Sequence, residues 1–196
     1  MTPRTFASPS GAGVSQNLTP RNGDGLSPDE FKAAFRNHPA GVALITADDG
    51  ERPVALTATS VISVSAVPPM LVFSVTEFSS SAPVLRAADT VVVHLLGAEQ
   101  LDLAKLGATS GIDRFADTTL WSRLPTGEPF FPSASVWIRG RVVEKVIVGN
   151  SIVFVVQGLE AKIGDSDVDA AERESSVPLV YHNRTWHHLG QGSRVE

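Results

Sequence analysis

The sequence predicts a mainly β fold, a barrel or sandwich carrying only short helices. Three observations predict it. Seven or eight segments have the apolar, β-branched composition of strands and are divided by Gly, Pro, Asn and Asp turn signals. The two longest, Ser135 to Val148 and Ile152 to Ile163, flank Gly149-Asn150, a strong hairpin signal. No regular alternation of strands and long helices accompanies them, and the G-x-G-x-x-G fingerprint of a doubly wound nucleotide fold is absent.

Taken in order, Met1 to about Asn22 is rich in Ser, Thr, Gly and Pro and reads as a flexible tail. It lacks the apolar core of a signal peptide. Ser27 is placed to cap a helix, with Pro28 in the first position and Glu30 closing a capping box. Phe31 and Phe35 share one face of that helix, and Pro39 and Gly41 end it. Strands are predicted over Gly41 to Ala47, Pro53 to Thr59, Val61 to Ser65 and Met70 to Thr76, the first two joined by the turn Asp48-Asp49-Gly50. A helix over Ser79 to Ala88, a strand over Thr90 to Leu96 and a helix over Ala98 to Leu106 follow. Gly107 to Ser133 shows little regular pattern. Beyond the long hairpin, Gly164 to Ser176 is charged and loop-like, and Leu179 to His182 with Thr185 to Leu189 forms a last hairpin about Asn183-Arg184. The resulting plan is a tail over 1–26, one domain over 27–190 and a short tail over 191–196.

The 196 residues are enough for one domain with a sizeable core, and 42% apolar against 19% charged residues suit an ordinary globular chain. A formal charge of −5 without a basic stripe argues against a nucleic-acid surface. No apolar run approaches the ~20 residues of a membrane span. There is no cysteine, which removes disulfides, thiolate metal sites and a cysteine nucleophile and is compatible with a cytoplasmic location. The phosphate-cradling G-x-x-x-x-G-K-S/T and the hydrolase motif G-x-S-x-G are absent as well.

The chemistry-bearing residues are hydroxyls in three groups. Thr57, Thr59 and Ser60 stand at the end of one strand, Ser63 and Ser65 alternate along the next, and Ser79, Ser80 and Ser81 open a helix. A helix start offers free N–H groups to a phosphate, and small residues let a flat ring lie against backbone. The same residues also fit half-exposed strands and an ordinary helix cap. Among the histidines, His38 falls at a helix end and His94 in an apolar strand, where it reads as a satisfied interior residue. His182, His187 and His188 cluster near the C-terminus. Neighbours on a strand point to opposite faces and no carboxylate stands at ligand spacing, so no metal site is expected. The acidic stretch Asp165 to Glu174 reads as a solvated loop, with partner contact as the alternative.

From Phe31 to Leu189 the chain resembles the short-chain flavin reductases, the flavin-binding split-barrel family. The resemblance is carried by an ordered series: Gly41-Val42 with Ile45-Thr46; Leu56-Thr57-Ala58-Thr59-Ser60; Ser63-Val64-Ser65 and Pro68-Pro69; Ser79-Ser80-Ser81-Ala82-Pro83; Asp113-Arg114-Phe115 with Gly127 and Pro129; and Pro178-Leu179-Val180-Tyr181-His182. It implies a Greek-key antiparallel split β-barrel with a few short helices, and FMN or FAD reduced by NADH or NADPH. It further implies a homodimer and a partner monooxygenase. Leu56 to Ser60 would run along the flavin ring edge, Ser63, Val64 and Ser65 would lie by the ribityl chain, and Ser79 to Ser81 would hold the phosphate. His182 would approach the cofactor pocket. The chain departs from the family at three places: Gly149-Asn150-Ser151 replaces Gly-Asp-His at the hairpin tip, Glu77 replaces a basic residue before the serines, and His94 replaces an asparagine. Hydride transfer from nicotinamide to flavin needs orientation and a dry pocket rather than an acid, base or nucleophile, so no catalytic side chain is assigned. A flavin binder without turnover, and a flavoprotein reducing another acceptor, remain open as alternatives.

Overall fold

A computed structural model of the chain describes residues 25–164 and 177–195. The N-terminal tail and the acidic stretch 165–174 therefore fall largely or wholly outside the described residues. Helix α1 (Pro28–Arg36) opens with the capping box: Glu30 N–H donates to Ser27 Oγ at 3.3 Å, and Ser27 N–H donates to Glu30 Oε2 at 2.9 Å. Its C-cap is Asn37, two residues before Pro39.

The predicted first strand is two. Strand β1 (Ala40–Gly41) pairs with β11 (Leu179–His182), which pairs with β12 (Thr185–His188), giving a three-stranded sheet. Strand β2 (Ala43–Asp48) belongs to the large sheet. Val42 is the crossing point: its N–H donates to Leu179 O at 3.3 Å, while its carbonyl accepts from Leu96 N–H at 3.0 Å. One residue thus serves both sheets, which an apolar run cannot reveal.

The large sheet is antiparallel throughout and has the order β3-β2-β6-β9-β10-β5-β4. Its other members are β3 (Pro53–Ala58), β4 (Ile62–Ala66), β5 (Pro69–Thr76), β6 (Thr90–Leu95), β9 (Val136–Val148) and β10 (Ser151–Ile163). The sheet curls, so its edge strand β3 faces β5 across a gap that no ladder closes. This is the split Greek-key barrel the resemblance implied. Between β6 and β9 lie α3 (Leu101–Ala108) and the small hairpin of β7 (Ser122–Arg123) and β8 (Pro129–Phe130), where Gly127 takes φ +101°.

Strand β2 is buried on both faces, as a strand with cover on each side must be. Ala43, Ile45 and Ala47 enter the barrel interior with Phe73, Phe154 and Val93. Leu44 turns outward to Leu103, Phe115 and Phe131, beneath α3 and the β7–β8 hairpin. Inside the barrel Phe73 and Phe154 stack at 4.9 Å. His94 is fully buried, and both of its ring nitrogens are engaged. Phe131 N–H donates to Nε2 at 3.1 Å, which makes Nδ1 the protonated nitrogen, donating to Leu44 O at 3.0 Å. Burial pulls its pKa down to about 4, against the smaller upward pull of that second bond.

Two predicted elements differ in form. The helix starts later than predicted: Ser81 is the N-cap of α2 (Ala82–Ala87), its carbonyl accepting Leu85 N–H at 3.0 Å, and Ser79 and Ser80 lie in the turn before it. Strand β4 is not half-buried. Its register against β5 shifts between Ser63 and Ser65, so Val64 is the extra residue of a bulge and both Ile62 and Val64 stay about 60% exposed. Among the described residues no helix is long and apolar enough to cross a membrane.

Candidate functional site

Strand β3 pairs only with β2, so half of its backbone N–H and C=O groups face the open edge of the barrel. Each end of this strand borders a cavity. Beyond its C-terminal end lies a cleft of about 810 Å³, lined by Thr59, Ser60, Val61 and Ile62 and closed by Phe31 and Phe35 of α1 and by Tyr181. The Phe31 and Phe35 rings sit 4.8 Å apart and are more than half exposed, a large apolar wall to leave in water. Lys32, Arg36 and Arg184 stand on its rim. Beside the N-terminal end of β3 lies a second cavity of about 500 Å³, lined by Val54 and Ala55, by Ser80 and Ser81, and by Arg52 and Arg114.

The predicted ring-edge residues divide. Thr59 and Ser60 reach the large cleft. Ser60 Oγ donates to Ser74 O at 3.1 Å and accepts Ser74 N–H at 3.0 Å, continuing the β4–β5 pairing back toward the end of β3. Thr57 turns the other way: its hydroxyl donates to Ala104 O of α3 at 2.7 Å. Leu56 and Ala58 pack against the barrel interior. Between the cavities, therefore, Leu56 to Ala58 present backbone rather than side chains to the open edge. Ser63, Val64 and Ser65 lie on the outer edge strand and line neither cavity.

The three serines also part company. Ser79 Oγ accepts the Ser81 N–H at 3.3 Å, and Ser79 O accepts the Ala82 N–H at 3.0 Å. Ser81 is buried, its hydroxyl 3.5 Å from Ala55 O. Ser80 is exposed, lines the smaller cavity, and its hydroxyl has no partner among the described residues. Glu77 is ion-paired to Arg86 of α2, and its N–H donates to Asn150 O at 2.9 Å. His182 Nε2 donates to Asn37 Oδ1 at 2.8 Å and its ring lies 5.5 Å from that of His187. It lines neither cavity, although Tyr181, Asn183 and Arg184 beside it line the large one.

Two arginines without a role in the sequence analysis complete the picture. Arg114 caps the end of α3, with Nε donating to Gly107 O at 3.2 Å and Nη2 to Thr109 O at 2.6 Å. Partial burial lowers its pKa from the ordinary arginine value. The signal for Arg184 was its turn. Asn183 and Arg184 both adopt positive φ, 47° and 62°, which swings a side chain from a hairpin end toward the cleft.

This arrangement suits an elongated ligand with a flat apolar end and an anionic end, laid along an exposed strand edge. Comparison with known proteins gives that reading a family. The flavin reductase like domain model matches residues 35–190. The chain belongs to the flavin reductase-like family. An NADH:FMN oxidoreductase of Rhodococcus erythropolis is 39% identical over 176 residues, 88% of this chain and 89% of that protein. The reductase component of a 4-nitrophenol 4-monooxygenase/4-nitrocatechol 2-monooxygenase of Rhodococcus opacus is 29% identical over 162 residues, 82% of this chain and 86% of that protein. Among solved structures, a flavin reductase domain protein from Arthrobacter sp. FB24 superposes with a TM-score of 0.74 at 31% identity, covering 83% of this chain and 95% of that one. The chain's relatives thus include the reductase component of a monooxygenase. The open β3 edge, the Ser80 hydroxyl and the aromatic cleft offer the polar and apolar groups that a flavin mononucleotide would need.

Proposed function

We propose that the chain is an NADH-dependent flavin reductase, with FMN as the flavin it takes first. The observation that carries the reading is the position of β3, an unpaired strand edge running between an aromatic cleft and a serine-bearing cavity. The sequence likeness to an NADH:FMN oxidoreductase over nearly nine-tenths of the chain supports it.

When bound, the flavin accepts a hydride at its ring from the reduced nicotinamide. The chain's own part is to orient and to exclude water. Thr59 and Ser60 with the β3 edge hold the ring, Leu56 to Ala58 supply backbone donors and acceptors, and Ser80 meets the phosphate. Phe31 and Phe35 form the dry wall, and the cations Lys32, Arg36 and Arg184 on the rim favour an anionic dinucleotide. A second copy of the chain would cover Ile62, Val64 and Val67 on the outer edge strand and its turn, where all three are exposed, giving a homodimer. The likeness to a monooxygenase reductase component supports an oxygenase as consumer of the reduced flavin.

The test is direct. The purified protein is mixed with NADH and FMN in the absence of oxygen, and loss of NADH and bleaching of FMN are followed together. Stoichiometric loss of both is expected. Flavin binding without NADH consumption would instead identify a binding protein, the reading favoured by the histidine-free tip at Gly149-Asn150-Ser151.

A further inference from the structure

A phosphomonoester near Ser80 needs a positive partner, because desolvating its charge without one is costly. The turn itself supplies none. Glu77 is acidic, and the cation paired with it, Arg86, is consumed in that ion pair. The amide groups of the turn are largely engaged as well, through Ser79 N–H to Thr76 O at 3.0 Å and the bonds of Ser81 and Ala82 already described. The smaller cavity holds the alternative. Arg52 and Arg114 both line it alongside Ser80, and Asp113 is the single carboxylate among its lining residues. Asp113 Oδ1 is occupied by the Phe115 N–H at 2.9 Å. Two guanidinium groups face one carboxylate among the lining residues, with Asp49, outside the cavity, also within reach of the Arg52 charge.

The geometry of the two guanidinium groups suits an anion. Arg114 is held in place by carbonyls through Nε and Nη2, while Nη1 has no partner among the described residues. A guanidinium fixed on one side and open on the other is a pre-organised anion donor, and its partial burial strengthens any charge it meets. The Arg52 guanidinium makes no hydrogen bond or ion pair among the described residues, and its N–H donates to Asp49 Oδ1 at 3.1 Å, which fixes the base of its side chain.

We propose that Arg114 and Arg52 hold the flavin's terminal phosphate together with Ser80, in place of a cation at position 77. The inference rests on the flavin reading above and assigns two binding residues to it. Binding of FMN and of riboflavin separates the two claims, because riboflavin carries the same ring without the phosphate. Affinities are measured by quenching of flavin fluorescence for the full chain and for Arg52→Gln, Arg114→Lys and Arg114→Gln, with inorganic phosphate as competitor.

Wild-type protein is expected to bind FMN more tightly than riboflavin, and inorganic phosphate to displace FMN selectively. Each loss of charge should weaken FMN about tenfold, the scale of a charge-assisted hydrogen bond, and leave riboflavin within about twofold. Arg114→Lys keeps charge but loses the fork, so it should fall between wild type and Arg114→Gln. Equal loss of both flavins in Arg52→Gln and Arg114→Lys would overturn the assignment, as would unchanged FMN binding in both. Failure of wild-type protein to bind either flavin would overturn the functional reading and this inference with it. Arg114→Gln can disturb the end of α3, so the exposed Arg52 and the conservative lysine variant decide the outcome.

Discussion

Ser60 and Ser74 continue the β4–β5 pairing with a reciprocal pair: one hydroxyl donates to the carbonyl and accepts the amide of the same residue, at 3.1 and 3.0 Å. Replacing Ser60 with Ala removes both bonds and leaves two partly buried backbone groups of β5 without them. A loss of about 1–3 kcal/mol is expected, read as a lower urea midpoint at unchanged slope. An unchanged midpoint would show that this pair adds nothing to the β4–β5 pairing.

A second prediction concerns the approach of α3 to β3. A Cβ on Gly107 would lie 2.2 Å from Leu44 Cδ1, 2.4 Å from Thr57 Oγ1 and 3.0 Å from the Thr57 amide nitrogen. The backbone contact cannot yield as a side chain can, so α3 must lift away from the strand. Gly107→Ala is expected to cost about 1–3 kcal/mol and to weaken FMN binding, since Thr57 would lose its bond to Ala104. Wild-type stability in that variant would mean that the helix already stands clear of β3.

His94 sets an acid limit on stability. Its folded pKa is about 4, whereas the unfolded chain titrates near 6.5. Between those values the unfolded state binds the extra proton, so stability is full above about 6.5 and falls as pH drops through the window. By about pH 4 the contribution, about 3 kcal/mol, is gone. Imidazole resonances in an NMR titration would show one ring still neutral at pH 5. A fully buried His94 titrating near 6.5 would contradict the two-bond arrangement.

The serine turn gives a contrast within two residues. Ser80→Ala should weaken FMN several-fold and leave thermal stability in place, because its hydroxyl has no protein partner among the described residues. Ser81→Ala should do the reverse, losing about 1 kcal/mol with its inward hydroxyl near Ala55 while sparing affinity. Measured melting temperatures and FMN dissociation constants with the opposite pattern would move the phosphate to the other serine.

Much of this architecture was legible in the residues because local chemistry decided it. Ser27, Pro28 and Glu30 form a cap wherever they stand, and Gly149-Asn150 turns a hairpin unaided. The interior role of His94 followed from its apolar strand. What escaped reading was decided by distant partners. Val42 changes sheets because Leu179 and Leu96 flank it, and Val64 bulges because of the β5 register. At the site, hydroxyl content alone did not separate Ser80, whose hydroxyl has no partner among the described residues, from Thr57, Ser60 and Ser81, whose hydroxyls are spent on backbone carbonyls. Arg52 and Arg114 lie 62 positions apart in the chain, and only the folding of α3 against β3 brings them to one cavity.

The Asn150 carbonyl receives both the Glu77 amide and, at 3.3 Å, the Thr76 hydroxyl. The far end of the longest hairpin is thereby moored to the entrance of the serine turn. Lengthening or shortening that hairpin would drag the turn with it, whereas exchanging the Asn150 and Ser151 side chains at equal length leaves the mooring carbonyl in place.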